Sequence, residues 1–149
     1  MISRILVPTD GSKTAQKAAK YAIGLAKQFK AEIIILSVVD ARSMIVQTVP
    51  ATETTVHIIE PLEDYLREAA GIFVREVQEI CENEGIQSKS LVAMGHPVDT
   101  IVHEAEKAKA DLIVMGSKGK SALSAVFLGS VTYGVIHKDT KIPIVVVKE

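Results

Sequence analysis

A chain of 149 residues, 48% of them hydrophobic, is long enough to bury a sizeable core in one domain. Its 17 basic and 18 acidic residues nearly cancel, so the chain has no overall field to hold a nucleic acid or an anionic membrane. Only 4% of the residues are aromatic and none is Trp, which argues against base-stacking surfaces. We therefore expect one domain over residues 1–149 that binds neither nucleic acid nor membrane.

The single cysteine and the lengths of the apolar runs bear on the compartment. Cys81 cannot form a disulfide within the chain, which is typical of a reducing environment, and we expect a packed thiol. The first apolar run, Ile5-Leu6-Val7, is too short for a signal peptide, and no run approaches the roughly 18 residues of a membrane span. These features predict a cytoplasmic protein.

Strand-like and helix-like segments alternate from the first residues onward. A short apolar run at 2–7 ends in the turn cluster Pro8-Thr9-Asp10-Gly11. Apolar residues at helical spacing then predict a helix from Ser12 or Lys13 to Lys30, with Ser12 as its N-cap. The β-branched run within 32–39 predicts a strand that is covered on both faces, as in a parallel sheet.

The segment from Asp40 to Glu60 has no clear period and predicts a long connection that acts as a lid or a partner-binding loop. Pro61 suits the first turn of the helix that follows, and Gly85 suits its end. The remaining predicted elements are strands at 86–94, 111–115 and 142–147 and helices at 98–108 and 130–137. This alternation predicts an α/β fold with a mostly parallel sheet and helices on both faces.

The segment after the fourth strand carries the strongest chemical signal, because it reads Gly116-x2-Gly119-x9-Gly129-Ser130. Glycines let the backbone approach a ligand closely, and the free amides of a helix that begins at Ser130 favour an anion. Further donors or positive charges for a triphosphate are available from Lys118, Lys120 and Thr132. The spacing predicts a phosphate cradle, with a tight turn and a helix cap as the alternative.

Asp10 is the second candidate, since it follows the first strand at the edge where the glycine segment should lie. A carboxylate at this position can accept a hydrogen bond from a ribose hydroxyl. The alternative is a turn residue that bonds its own backbone, as Asp before Gly commonly does.

Other catalytic and nucleotide-binding motifs are missing. The sequence contains no P-loop, no dinucleotide fingerprint after the first strand and no nucleophile elbow. Its four histidines lack the spacing of metal ligands, and no general base can be named beside a nucleophile. These residues therefore assign no catalytic role.

Taken together, these residues resemble the universal stress protein family, and the resemblance covers nearly the whole chain. The opening Ile5-Leu6-Val7-Pro8-Thr9-Asp10-Gly11-Ser12 is similar to the first strand and turn of that family. Residues 116–130 match its G-x2-G-x9-G-[ST] signature, and Val131 and Thr132 continue the pattern of its ATP-binding branch. Gly95-His96-Pro97 resembles the turn before the third helix of the family.

The resemblance implies an open five-stranded parallel sheet of order 3-2-1-4-5, a Rossmann-like fold similar to that of the adenine nucleotide alpha-hydrolases. It implies ATP, or ADP or AMP, as the ligand, accompanied by Mg2+. It also implies that Asp10 contacts the ribose and that Val38 meets the adenine through its backbone. The full set of implied site residues is Pro8, Thr9, Asp10, Val38, Met115, Gly116, Gly119, Gly129, Ser130, Val131 and Thr132.

The resemblance further implies a homodimer in which the last strand, Ile142 to Val147, pairs with its counterpart across a two-fold axis. Such pairing would cover an apolar edge at which Pro143 is tolerated, whereas the alternative is a strand packed wholly inside its own subunit. The implied function is that of an ATP-binding stress-response regulator with little turnover and no assigned catalytic residue. A slow ATPase or phosphotransferase, and a nucleotide-independent interaction module that uses the 40–60 loop, are the alternatives.

Overall fold

The computed structural model describes residues 1–41, 54–120 and 128–149. These residues form, in chain order, β1 (Arg4–Pro8), α1 (Lys13–Phe29), β2 (Glu32–Val39), α2 (Thr54–Asn83), β3 (Ser88–Met94), α3 (Pro97–Lys107), β4 (Leu112–Gly116), α4 (Ser130–His137) and β5 (Ile144–Val147). The strands pair in parallel in the order β3-β2-β1-β4-β5. Both the predicted α/β class and the strand order are confirmed.

The sheet separates two hydrophobic clusters. One lies between the sheet and the helices α1 and α2, and the other lies between the sheet and the helices α3 and α4. Successive residues of β2 alternate between them: Ile33 and Ile35 belong to the first cluster, and Ile34 and Leu36 belong to the second. The prediction that this strand is covered on both faces is confirmed, because its residues are buried in both clusters.

Helix α1 is held close to the sheet by small residues. Ser12 caps it as predicted, since its Oγ accepts a hydrogen bond from the amide of Ala15. The helix ends at Lys30, which adopts a left-handed conformation with φ 56° and donates its amide to Ala26 O. A buried face made mainly of alanine lets the helix backbone approach the sheet closely, so that its first turn lies against the end of β4.

Helix α2 begins earlier than the sequence predicts. Pro61 lies inside the helix rather than in its first turn, and residues 54–60 of the predicted 40–60 loop are helical. Proline removes one hydrogen bond to the preceding turn, but the loss of one bond does not end a helix whose later turns pack against β2 and β3. The rest of the predicted loop, residues 42–53, lies outside the described residues.

Strands β3 and β5 begin two residues later than predicted because turns take their first residues. The amide of Ile86 donates to Cys81 O and closes the end of α2, so β3 starts at Ser88. The amide of Ile142 bonds Thr140 Oγ1, so β5 starts at Ile144. Cys81 is fully buried, which confirms the packed thiol, and burial raises the pKa of that thiol above its usual value. No helix in the described ranges combines the length and apolar character that a membrane span needs.

Candidate functional site

The candidate site lies where the order of strands in the sheet reverses. Strand β1 has β2 on one side and β4 on the other, so the loops that follow β1 and β4 diverge from neighbouring strand ends. A crevice at the carboxyl edge of such a reversal is the usual ligand site of open parallel sheets. Here the loop after Pro8 meets the loop after Gly116.

Asp10 joins these two loops through its carboxylate. Its Oδ1 accepts a hydrogen bond from the amide of Ser12 at 3.0 Å, a local backbone bond that is typical of Asp in a turn. Its Oδ2 accepts from the amide of Lys120 at 2.9 Å, within the glycine segment. A Cβ atom at Gly119 would lie 2.5 Å from this oxygen, so a residue without a side chain lets the segment pass so close to Asp10.

Two buried threonines anchor the first half of the glycine segment. Thr14 Oγ1 donates to the carbonyl of Lys118, and Thr132 Oγ1 donates to the carbonyl of Gly116 at 2.8 Å. A Cβ atom at Gly116 would lie 2.8 Å from the carbonyl carbon of Thr14, so α1 and β4 touch through their backbones at this point. Thr132, which the sequence suggests as a hydroxyl donor to phosphate, uses that hydroxyl within the protein.

The second half of the segment leads into α4. The amide of Gly129 donates to Ser117 O at 2.6 Å, and its extended backbone places Ser130 as the first residue of the helix, as predicted. The first hydrogen bond of the helix runs from the amide of Tyr133 to Gly129 O. The amides before it, at 130–132, have no acceptor within the helix, and free amides at a helix start favour an anion.

The remaining predicted site residues line the same edge. Thr9 is buried and donates its amide to Leu36 O at 2.8 Å, and Met115 is buried beneath Gly116. Val38 lies near the carboxyl end of β2, one strand away from Asp10. Pro8 and Val131 are partly buried. The fold thus brings all the predicted residues to one edge, although residues 121–127 of the glycine segment lie outside the described residues.

The two lysines of the segment make contacts that the sequence does not indicate. Lys118 Nζ lies 3.4 Å from a carboxylate oxygen of Glu149. Lys120 Nζ lies 4.0 Å above the ring of Phe73 in α2, a cation–π contact. The same ring packs on Gly11, where a Cβ atom would lie 2.5 Å from two ring carbons and where φ is +77°.

Phe73 was missed as a site residue because its only sequence signal is membership of the apolar stripe of α2. The positive φ of Gly11 marks a close approach, but it does not name the partner. The described ranges contain no group of three or more His, Cys, Asp or Glu side chains that could hold a metal ion.

Comparison with known proteins identifies the family. The sequence model of the universal stress protein family matches residues 1–148. The chain belongs to the universal stress protein family. Universal stress protein MJ0531 of Methanocaldococcus jannaschii is 39% identical over all of this chain and 84% of its own length. MJ0577 of the same organism is 33% identical over 99% of this chain and 96% of its own.

Solved universal stress proteins share the fold, and some were solved with nucleotides. The structure of MJ0577 matches with a TM-score of 0.84 over 100% of this chain and 97% of that one, at 34% identity. A universal stress protein of Archaeoglobus fulgidus in complex with dAMP matches with a TM-score of 0.68 at 17% identity, over 99% and 98%. A universal stress protein solved in complex with cAMP matches with a TM-score of 0.66 at 24% identity, over 99% of this chain and 97% of that one. At these last two identities the likeness establishes the fold alone, while the bound ligands establish that some members of the family bind adenine nucleotides.

Proposed function

We propose that this chain binds an adenine nucleotide, with ATP preferred, in the crevice between the carboxyl ends of β1 and β4. The observation that carries the proposal is the position of the Asp10 carboxylate at the strand reversal, against a glycine turn that has no room for side chains. Family members solved with dAMP and cAMP support the ligand class.

In this proposal the nucleotide lies across the strand ends. Asp10 accepts hydrogen bonds from the ribose hydroxyls, and the adenine lies towards Val38 on β2. The phosphates lie along the glycine segment, near the first amides of α4. The other proposed contacts come from Pro8, Thr9, Met115, Gly116, Gly119, Gly129, Ser130, Val131 and Thr132.

Mg2+ fits this site only together with a triphosphate. The ion prefers six oxygen ligands and commonly takes several of them from substrate phosphates and water. The described residues offer no cluster of three or more ligands, so the phosphates would supply a large share of the coordination. We therefore propose Mg2+ as a companion of ATP.

We further propose that the nucleotide serves as a signal in a stress response and is turned over slowly or not at all. The hydroxyls of Thr14 and Thr132 are both donated to backbone carbonyls. Their hydrogens are therefore not free to be donated to a transferring phosphoryl group while the glycine segment keeps this conformation.

The direct test is to ask what the purified protein carries and binds. Mass spectrometry of the denatured protein should release an adenine nucleotide, and calorimetry on nucleotide-free protein should show ATP binding in the presence of Mg2+. GTP is the matched control, and we expect it to bind at least about tenfold more weakly, since specific polar contacts distinguish bases by about 1–3 kcal/mol. Absence of both released nucleotide and ATP binding would refute the proposal, and steady ADP production would replace it with the ATPase alternative.

We also propose a homodimer formed through β5, the outermost strand at one side of the sheet. Its four apolar residues are only half-buried. The carbonyls of Pro143 and Val147 accept hydrogen bonds from β4 and the following turn. Because neighbouring residues of a strand alternate in direction, the amides of Ile144 and Val146 face away from the sheet. A second copy of β5 could pair with them.

Val146→Pro tests the dimer, because it removes an outward amide and leaves the bonds to β4 in place. Light scattering after size exclusion should give a dimer mass for the parent protein and a monomer mass for the variant, with similar circular dichroism. A dimer mass that survives the substitution would show that the strand edge is not the interface.

A further inference from the structure

A concave surface lies at the amino-terminal edge of the sheet, opposite the candidate site. It is a cavity of about 460 Å³ formed by the starts of β1, β2 and β3 and by the end of α3. We call it the basic groove and define it by Arg4, Glu32, Ile34, Lys89, Leu91 and the segment 107–109. It is separate from the nucleotide site, because the two occupy opposite ends of the strands.

The charges of the groove are unbalanced. Arg4, Lys89, Lys107 and Lys109 line it, and Glu32 is the one acidic residue among its lining residues. The Glu32 carboxylate lies 3.3 Å from Lys89 Nζ and 4.0 Å from Arg4 Nε. Within the described part of the chain, Lys107 and Lys109 make no ion pair. The groove is therefore positively charged in a protein whose net charge is −1.

The floor of the groove is apolar and open to solvent. Lys89 pairs in register with Ile34, and Leu91 pairs with Leu36, so Lys89 and Leu91 lie on the face of the sheet that α3 and α4 cover elsewhere. Helix α3 packs against β2 but leaves this part of β3 exposed, and Leu91 is 38% exposed.

One further feature suits an extended peptide. Strand β3 is the outermost strand opposite β5, so one row of its backbone groups faces away from the sheet and can accept an added strand.

We propose that the basic groove binds an acidic, extended peptide segment of a partner protein. The peptide adds to the free edge of β3 and places an apolar side chain on Leu91 and Ile34. Its carboxylates lie against Lys107 and Lys109. This proposal does not depend on the proposed nucleotide function.

The test uses the full chain and a fluorescein-labelled octapeptide of alternating glutamate and valine, followed by fluorescence anisotropy. We expect saturable binding that weakens as salt rises, and no binding of the same peptide with lysine in place of glutamate. Lys109→Glu should weaken binding by at least about tenfold. Amides of β3 should exchange more slowly with solvent when the peptide is bound, and saturating ATP should leave the peptide affinity unchanged.

Lys30→Glu is a closely matched control. Lys30 and Lys109 both follow the end of a helix in the left-handed conformation, with φ of 56° and 55°, but Lys30 does not line the groove. We expect Lys30→Glu to change the peptide affinity less than about twofold. Equal effects of the two substitutions, failure of the acidic peptide to bind, or unprotected β3 amides would overturn the proposal. So would an oligonucleotide that occupies the groove when the peptide does not.

Discussion

Gly116→Ala is expected to unfold at markedly lower denaturant concentration than the parent protein. Its added Cβ would lie 2.8 Å from the carbonyl carbon and 2.9 Å from the carbonyl oxygen of Thr14. These are backbone atoms in the first turn of α1, so they cannot rotate away as a side chain can. Overpacking of this kind typically lowers the free energy of unfolding by about 1–3 kcal/mol. For a chain of this size that corresponds to a fall in Tm of about 2–12 °C.

The same substitution should also weaken ATP binding, since α1 and β4 must move apart where Thr14 and Thr132 hold the glycine segment. Gly71→Ala provides the control. It makes the same chemical change inside α2, where nothing lies within 4 Å of the added atom, and should raise stability by about 0.5–1 kcal/mol. Urea titrations of the two variants should therefore shift in opposite directions. Shifts of the same sign and size would contradict the close contact at Gly116.

Asp10→Asn should weaken ATP binding by about 10- to 100-fold, because hydrogen bonds to a charged acceptor are worth about 1.5–3 kcal/mol. The asparagine oxygen can still accept from the amide of Ser12. The amide nitrogen would then face the amide of Lys120, donor against donor. Calorimetry with ATP and with 2′,3′-dideoxy-ATP separates the proposed ribose contact from the lost hydrogen bond to the Lys120 amide. The substitution should lower the affinity for ATP and leave the affinity for the dideoxy ligand nearly unchanged.

Asp111→Asn is the control for Asp10. The Asp111 carboxylate also accepts two backbone amides, those of Ser3 and Arg4, at 2.8 and 3.0 Å, but at the opposite edge of the sheet. These bonds hold the pKa of Asp111 below its ordinary value. The charged Asp111 carboxylate therefore stabilises the folded protein at neutral pH, and this stabilisation is lost as the pH falls through the lowered pKa. The Asp111→Asn variant should not show this pH-dependent loss of stability. ATP affinity should stay unchanged in Asp111→Asn, and a drop like that of Asp10→Asn would contradict the proposed ribose role.

Much of the architecture was predictable because it depends on local patterns. The unbroken apolar run of β2, the alanine stripe of α1 and the cap at Ser12 each reflect a rule that acts over a few residues. The strand order came from the resemblance to the family and was confirmed. The site residues share one edge because parallel strands place their carboxyl ends together.

Contacts between residues distant in the chain were not predictable from the same patterns. Thr14 and Lys118 are bonded across the site, and nothing near either residue indicates the other. Phe73 of α2 contacts Gly11 and Lys120. In the sequence it is only one of the apolar residues at helical spacing, which predict a core position. The prediction that Pro61 lies in the first turn of α2 is wrong. Proline is common in the first turn of helices, but this local preference contains no information about the tertiary packing that stabilises a helix on both sides of a proline.

In the proposed complex, the carboxylate of Asp10 would serve as a sensor of occupancy. Its Oδ2 accepts the amide of Lys120, and in the proposed complex a ribose hydroxyl would compete for that oxygen. The side chain of Lys120 rests on Phe73, so release of this amide would also loosen a contact between the glycine segment and α2. A partner protein that reads the surface around Lys120 and Phe73 would then distinguish the loaded protein from the empty one without touching the nucleotide.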